Sequence, residues 1–347
     1  MPYFYRNNIK YSGGSDSVDL TMAEYKELEA NGKVVQDTTY YIIDADENIP
    51  SRPNLLINSN FANPVNQRGV IGDTWNKHVT YGLDRWKLYA NGSGLNTNNY
   101  TIDTTKHKVS KNDGYITIFT KGGETYTQLA YSHEFPEQLK GKDITLSIKC
   151  RCTKDSYFTM NFTDTNVKTY VGTFKGTGNF EVYTLTANIV NGCGGLYFGT
   201  GNCNPETLVY TNLSIDTTLD VEWIKLELGD HATPYVPRLF EEEWLLCRRY
   251  YKFISAEVLT YYASANDMYF RVQYENIPNN GLRTTPTVTI ADYGLLNGST
   301  SLTGFNVVIA NTYSSGCVIT ATKASHGISN KEHTFLRIYL NLDAELY

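Results

Sequence analysis

No uncharged apolar run in the 347 residues approaches the thickness of a bilayer core, so no membrane insertion is expected. Cations are not in excess either. The 30 Lys and Arg stand against 36 Asp and Glu without forming a cluster, which argues against binding nucleic acid by phosphate neutralisation. Six cysteines are too few for a disulfide scaffold. The opening Met-Pro-Tyr-Phe-Tyr-Arg-Asn-Asn lacks the basic start and apolar core of a signal peptide, so a product made without ordinary secretion is expected. GxSxG elbows, HExxH helices, phosphate-binding glycine loops and dinucleotide fingerprints are all missing. The histidines, His78, His107, His133, His231, His326 and His333, are scattered with no pair at ligand spacing, and they read as turn or surface residues. No catalytic group and no cofactor is expected, although a calcium ion in a loop stays open.

What is present is 28 Tyr, 14 Phe and 27 Gly, a mixture that favours strands and turns. Residues 51–238 carry short β-rich runs at 114–120, 143–152, 157–162, 181–187, 208–213 and 221–228, with turn signals between them. Such strands without intervening amphipathic helices predict a mainly β protein built on an antiparallel sandwich or jelly roll. In the last run Ile224, Leu226 and Leu228 form an apolar face, and Glu222, Lys225 and Glu227 form its charged counterpart. Val221 and Trp223 suggest a second covered surface near its start, so the strand is expected to be partly buried on both sides.

Residues 1–50 form a separate small unit, ended by the two-proline linker Asn48-Ile-Pro-Ser-Arg-Pro53. Thr21 and Glu24 make a capping box, Leu20 and Tyr25 occupy the staple positions, and Asn31-Gly32 supplies a stop. The spacing predicts a helix over 22–30 and, after it, a strand over 38–44. Residues 239–347 form the third segment. Phe240, Trp244, Cys247 and Tyr251 fall at helical spacing, with acids first and cations later. Further strands are expected at 268–274, 286–290, 305–310, 317–322 and 335–342.

Cys150 and Cys152 continue the period-two set Ile144, Leu146 and Ile148, which places all five on one face of a strand as core residues. Zinc held by Cys150, Cys152, Cys193 and Cys203 is disfavoured, because the spacings are irregular and one pair sits in mid-strand. Asn91, Asn161, Asn212 and Asn297 open glycosylation-type triplets that read as chance matches in an Asn-rich chain.

Two groups of signatures bracket the predicted sandwich. Asn54-Leu-Leu-Ile-Asn-Ser-Asn-Phe61, Asn66-Gln-Arg-Gly69 and Tyr81-Gly-Leu-Asp-Arg-Trp86 open it. Val221-Glu-Trp-Ile-Lys-Leu-Glu-Leu-Gly229, Ala232-Thr-Pro-Tyr-Val-Pro-Arg238 and Cys247-Arg-Arg-Tyr-Tyr251 close it. The pattern resembles the tail-fibre and head-fibre proteins of bacteriophages, in which such signatures flank a carbohydrate-binding-module-like β-sandwich. The positions it marks as structural are Asn58, Phe61, Gln67, Arg68, Asp84, Arg85, Trp86, Trp223, Arg238, Cys247, Arg249 and Tyr250. Physically, Asn58 and Asn60 suit backbone bracing, Arg68 and Arg85 suit carboxylates or carbonyls, and Trp86 suits closing the sandwich.

The resemblance implies an N-terminal virion-attachment adaptor (1–50), a sandwich (51–238) and a C-terminal β-rich trimeric head (239–347). It implies a non-enzymatic homotrimer in the virion, attached to tail, baseplate or capsid proteins by its N-terminus and meeting a host-surface glycan or receptor. Tyr261, Tyr262, Asn266 and Asp267, read as a loop, are the candidate glycan contacts. A head-decoration or assembly protein without receptor binding is the alternative. A capsule-cutting depolymerase fits less well, since no stacking β-helix repeat is detectable.

Overall fold

The computed structural model describes residues 27–33, 50–90, 100–164, 169–274, 282–313, 315–328 and 334–345, and the backbone of three strands within the first 42 residues. Those strands, Phe4–Tyr5, Thr38–Ile42 and Asp16–Leu20, form a parallel sheet in that order. Residues 27–30 are helical, and the predicted stop is present. Gly32 has φ 64°, its N–H donates to the Glu29 carbonyl at 3.0 Å, and Lys33 N–H donates to Leu28 at 2.8 Å. That double bond closes a helix C-terminus with a left-handed glycine. Thr21, Glu24 and Tyr25 of the predicted helix start lie outside the described residues.

The chain divides into two compact units, Met1–Pro64 with Val70–Gly82 and Trp86–Leu239, and Val65–Gly69 with Leu83–Arg85 and Phe240–Tyr347. In the first, two antiparallel sheets make the sandwich. One runs Thr169–Lys175, Tyr157–Asp164, Cys193–Cys203, Tyr126–Ser132, Lys87–Ala90, Thr80–Tyr81, with Tyr210–Thr211 added to Cys193–Cys203. The other runs Glu181–Ile189, Lys142–Cys152, Thr217–Leu228, Ile116–Thr120, His107–Lys111. Ile144, Leu146, Ile148, Cys150 and Cys152 are all buried on one face, as their period requires. Phe158, Met160, Phe162, Leu196, Phe198 and Leu129 supply the facing layer.

Two expectations are corrected here, and one strand is new. Thr217–Leu228 carries a bulge between Val221 and Trp223, after which Ile224 and Leu226 keep the core face; the strand is buried on both sides, so Lys225 and Glu227 are not a solvated face, and it is Leu228 that is 43% exposed. Thr233 and Pro234 fold over that stretch. Lys225 Nζ donates to the Thr233 carbonyl (3.1 Å), Thr233 Oγ1 (2.6 Å) and the Pro234 carbonyl (3.0 Å), and Thr233 N–H donates to Glu227 Oε1 at 2.8 Å. His107 is a core residue rather than a surface one, its Nδ1 lying 2.9 Å from Thr127 Oγ1 in a threonine cluster with Thr120 and Thr200. The central strand Cys193–Cys203, which carries four glycines, is not among the runs read from the sequence.

In the second unit, Tyr251–Ala263 belongs to two layers. Its first part, through Leu259, pairs with Thr334–Asp343, which pairs in turn with Thr287–Asn297 and, beyond it, Thr300–Leu302. From Thr260 it pairs with Asp267–Gln273, followed by Gly316–Thr322 and Asn306–Tyr313. Leu336, Ile338, Leu340 and Leu342 of one layer share a core with Met268, Phe270, Val272, Cys317 and Ile319 of the other. The helix Phe240–Cys247 ends before Tyr251, and its buried residues are Glu243 and Cys247. Phe240 and Trp244 are 41% and 37% exposed, so the predicted apolar stripe is not the buried one. Burial of the Cys247–Tyr251 end by the ion cluster described below sets that orientation.

Candidate functional site

The first sheet of the sandwich turns every second residue away from the core. One outward row reads Tyr89, Gln128, Gly199, Thr159, Thr173 across five strands, and the next reads Lys87, Ala130, Tyr197, Asn161, Val171. Gly199 has no side chain to stand between Gln128 and Thr159, so Gln128 Nε2 reaches Thr159 Oγ1 at 2.8 Å. The same amide donates to the Tyr210 hydroxyl at 2.7 Å, and Asn161 Nδ2 donates to that hydroxyl at 3.4 Å. Tyr210 is brought there by its short strand, which pairs Tyr210 with Cys203.

Gln128, Thr159 and Asn161 are themselves buried, and the half-buried rings stand over this amide floor as the part that meets solvent. Tyr89 meets Tyr197 edge-on at 5.3 Å, Tyr126 meets Tyr210 at 4.7 Å, and His78 stacks on Tyr100 at 4.6 Å while its ring edge meets Tyr89 at 5.0 Å. Burial pushes the Tyr126 phenol up to about 12 and raises Tyr89, Tyr197 and Tyr210 as well. These phenols are therefore neutral near pH 7 and act as hydroxyl donors and acceptors. Apolar ring faces beside fixed amides and hydroxyls suit a ligand with C–H surfaces and many hydroxyls. The sequence marks His78 only as a turn or surface residue and Asn161 only as a chance triplet, and singles out none of the others; the signal available was the alternation of Tyr126, Gln128 and Ala130 in one strand and of Gly195, Tyr197 and Gly199 in its neighbour.

The candidate glycan residues lie elsewhere, in the second unit. Tyr261 and Tyr262 are not in a loop but near the end of a strand, and they are 53% and 58% exposed. Asn266 and Asp267 shape the following turn. Asn266 Oδ1 accepts from Ser325 N–H at 2.9 Å, and Asp267 Oδ1 accepts from Thr322 Oγ1 at 2.8 Å.

The signature residues form two constructions. In the sandwich unit, Trp86 Nε1 donates to the carbonyl of Asn58, which holds φ 59°, and Phe61 packs on Trp86 and Phe198 at 5.3 and 5.6 Å. Trp223 stacks flat on Tyr235 at 4.5 Å, and Arg238 donates to the Leu56 and Asn54 carbonyls. In the second unit, Arg68, Asp84, Arg85, Asp343 and Glu345 form a charge cluster. Arg68 lies 3.0 Å from Asp84, 3.4 Å from Asp343 and 3.5 Å from Glu345. Burial opposes the charge on Arg68, but Glu345, Asp84 and Asp343 outweigh it and raise its pKa. Gln67 N–H donates to Asp84 Oδ2 at 2.8 Å, and the two guanidiniums lie over rings, Arg68 on Tyr251 at 3.9 Å and Arg85 on Tyr250 at 3.7 Å. The Arg249 carbonyl accepts from Arg283 N–H at 2.7 Å, and burial raises the Cys247 thiol well above its usual range. Among the described residues no group of three or more His, Cys, Asp or Glu is placed to hold a metal ion.

No protein-family model and no curated protein matches the chain. Among solved structures, it is similar to a variant of a family 29 carbohydrate-binding module (9% identity, 47% of this chain and 95% of that one, TM-score 0.30). A CBM4 structure matches at 18% identity over 42% of this chain and 88% of its own, with TM-score 0.30. The CBM1 module of BiXyn10A matches at 17% over 36% and 82%, with TM-score 0.27. Scores this low assign the chain no ligand.

Proposed function

We propose that this chain is a non-enzymatic glycan-binding subunit of a phage fibre, with the tyrosine and amide face of its sandwich as the sugar site. The observation that carries the reading is the row Tyr89, Gln128, Gly199, Thr159, flanked by Tyr126, Tyr197 and Tyr210, where rings border amides already held in place. Such pre-ordering reduces the entropy lost on binding. The bracketing signatures support a virion fibre, docked by its N-terminal segment and working as a homotrimer. Three modest sites per fibre then give firm attachment through effective concentration.

A glycan array probed with the full chain tests this. Binding that falls at least about tenfold in Tyr197→Ala and Tyr210→Ala, with unchanged melting, supports it. Silence across host glycans favours the head-decoration reading, and sedimentation as a monomer removes the trimer.

A further inference from the structure

A second aromatic face lies on the outer surface of the second unit, and its construction points to a charged ligand. In Tyr251–Ala263 the register slips between Thr260 and Tyr262: Thr260 faces Phe270, whereas Tyr262 faces Tyr269. Tyr261 is the extra residue. Consecutive residues of a regular strand point to opposite sides, so one of two adjacent tyrosines would ordinarily enter the core. The bulge re-aims the strand, and both are instead more than half exposed. Tyr269 completes the group, with ring centroids 5.5 Å from Tyr262 and 6.3 Å from Tyr261.

Arg271 stands beside these rings, its guanidinium 5.3 Å from the Tyr261 centroid. Its cross-strand neighbour is Val318, which faces Asn311 in turn, so its row is neutral. Among the described residues no carboxylate pairs with Arg271, in contrast to Arg337, which is bound to Glu257 at 2.6 Å on the other layer. Asp267 shares the outward side of the strand, but it lies four positions from Arg271, about 13 Å at strand rise, and its Oδ1 already accepts from Thr322. The face therefore has two exposed phenols and the half-buried ring of Tyr269 at one end, and at the other a guanidinium fork that no carboxylate among the described residues neutralises.

We infer that Tyr261, Tyr262, Tyr269 and Arg271 form a second site that takes an acidic sugar, the pyranose lying on the rings and its carboxylate held by the guanidinium. A planar guanidinium matches a carboxylate in paired hydrogen bonds, and exposed rings offer the apolar half of the contact. The site is independent of the tyrosine face of the sandwich.

The test is calorimetric titration of the full chain with three probes: oligogalacturonate, sialyllactose and a neutral cello-oligosaccharide. Binding of either acidic probe, weakened at least about tenfold by Arg271→Gln and by Tyr261→Ala but unchanged by Tyr210→Ala, is the expected result. Which acidic probe binds tells ring uronates from sialosides. If neither acidic probe binds, or Arg271→Gln binds as well as the parent, the inference falls. It falls equally if Arg271→Gln lowers the sedimenting mass, because the face is then a contact between copies. The sandwich reading fails by a different result, the neutral probe and host glycans ignoring Tyr197 and Tyr210.

Discussion

Arg85 and Glu345, 260 positions apart, form a buried pair in which the Arg85 backbone N–H donates to Oε1 at 3.1 Å and its guanidinium to Oε2 at 2.5 Å. Arg85 holds φ 72°, a left-handed conformation that a non-glycine residue adopts only when its surroundings impose it. Glu345 thus fixes both the backbone and the side chain of Arg85. Glu345→Ala leaves a guanidinium buried with its main partner gone, and the second unit is expected to lose about 3–5 kcal/mol. Urea unfolding followed by the near-ultraviolet signal of its tyrosines measures this, and a loss under about 1 kcal/mol would mean Arg85 is held mainly by Tyr250.

The same cluster gives a pH dependence with a definite sign. Burial, opposed by Arg68 and Gln67, pushes the Asp84 carboxyl up from 3.8 to about 7. Arg68 and Glu345 are the charged groups that act on it, and Arg68 is itself shared with Asp343. Between those values the native chain keeps a proton that the unfolded chain has released, so this group's contribution to stability falls as pH rises from about 4 to about 7. Denaturant midpoints at pH 4.5, 6 and 7.5 should show that downward slope. Asp84→Asn should flatten it, and an equal slope in the variant would assign the dependence to another group.

Lys225 and Glu227 provide a second buried pair, 3.2 Å apart and both nearly inaccessible. Lys225→Met strands the Glu227 carboxylate among donors from Thr233 alone, and a loss of about 3–5 kcal/mol is expected. The double variant Lys225→Met with Glu227→Leu removes both charges and should recover most of it. Thermal melts of the three proteins decide the point; a double variant as weak as the single one would show that Thr233 needs the carboxylate for its own place.

The period-two stripes made the mainly β, antiparallel character legible, and the Ile144 to Cys152 stripe is a buried face as its spacing requires. Gly32 ends its helix where the Asn-Gly pair indicated. What stayed hidden depended on partners distant in sequence. Glycines that allow Cys193–Cys203 to run at the centre of a sheet look like turns until Gln128 and Thr159 are seen on either side of Gly199. Two adjacent tyrosines at 261 and 262 look like loop residues because a bulge has no local signature. Lys225 and Glu227 look solvated because only Thr233, folding back over them, reveals their burial.

Gly199 links the stability of the sandwich to the proposed sugar face. A Cβ added there would lie 2.1 Å from the Thr127 carbonyl oxygen and 2.6 Å from Gln128 Cα, backbone atoms that can move only with their strand. Gly199→Ala is therefore expected to push apart the Tyr126–Ser132 and Cys193–Cys203 strands, at the upper end of the about 1–3 kcal/mol typical of overpacking. It should also break the Gln128 to Thr159 bond and with it the placement of Tyr210, so glycan affinity falls even where the protein remains folded. Gly298→Ala is the control: its φ of 59° strains alanine, but no atom lies within 4 Å of the added carbon. A cost of about 1 kcal/mol with unchanged glycan binding is expected there. Melting curves paired with glycan titration separate the two variants, and equal losses of affinity in both would detach the sugar face from Gly199.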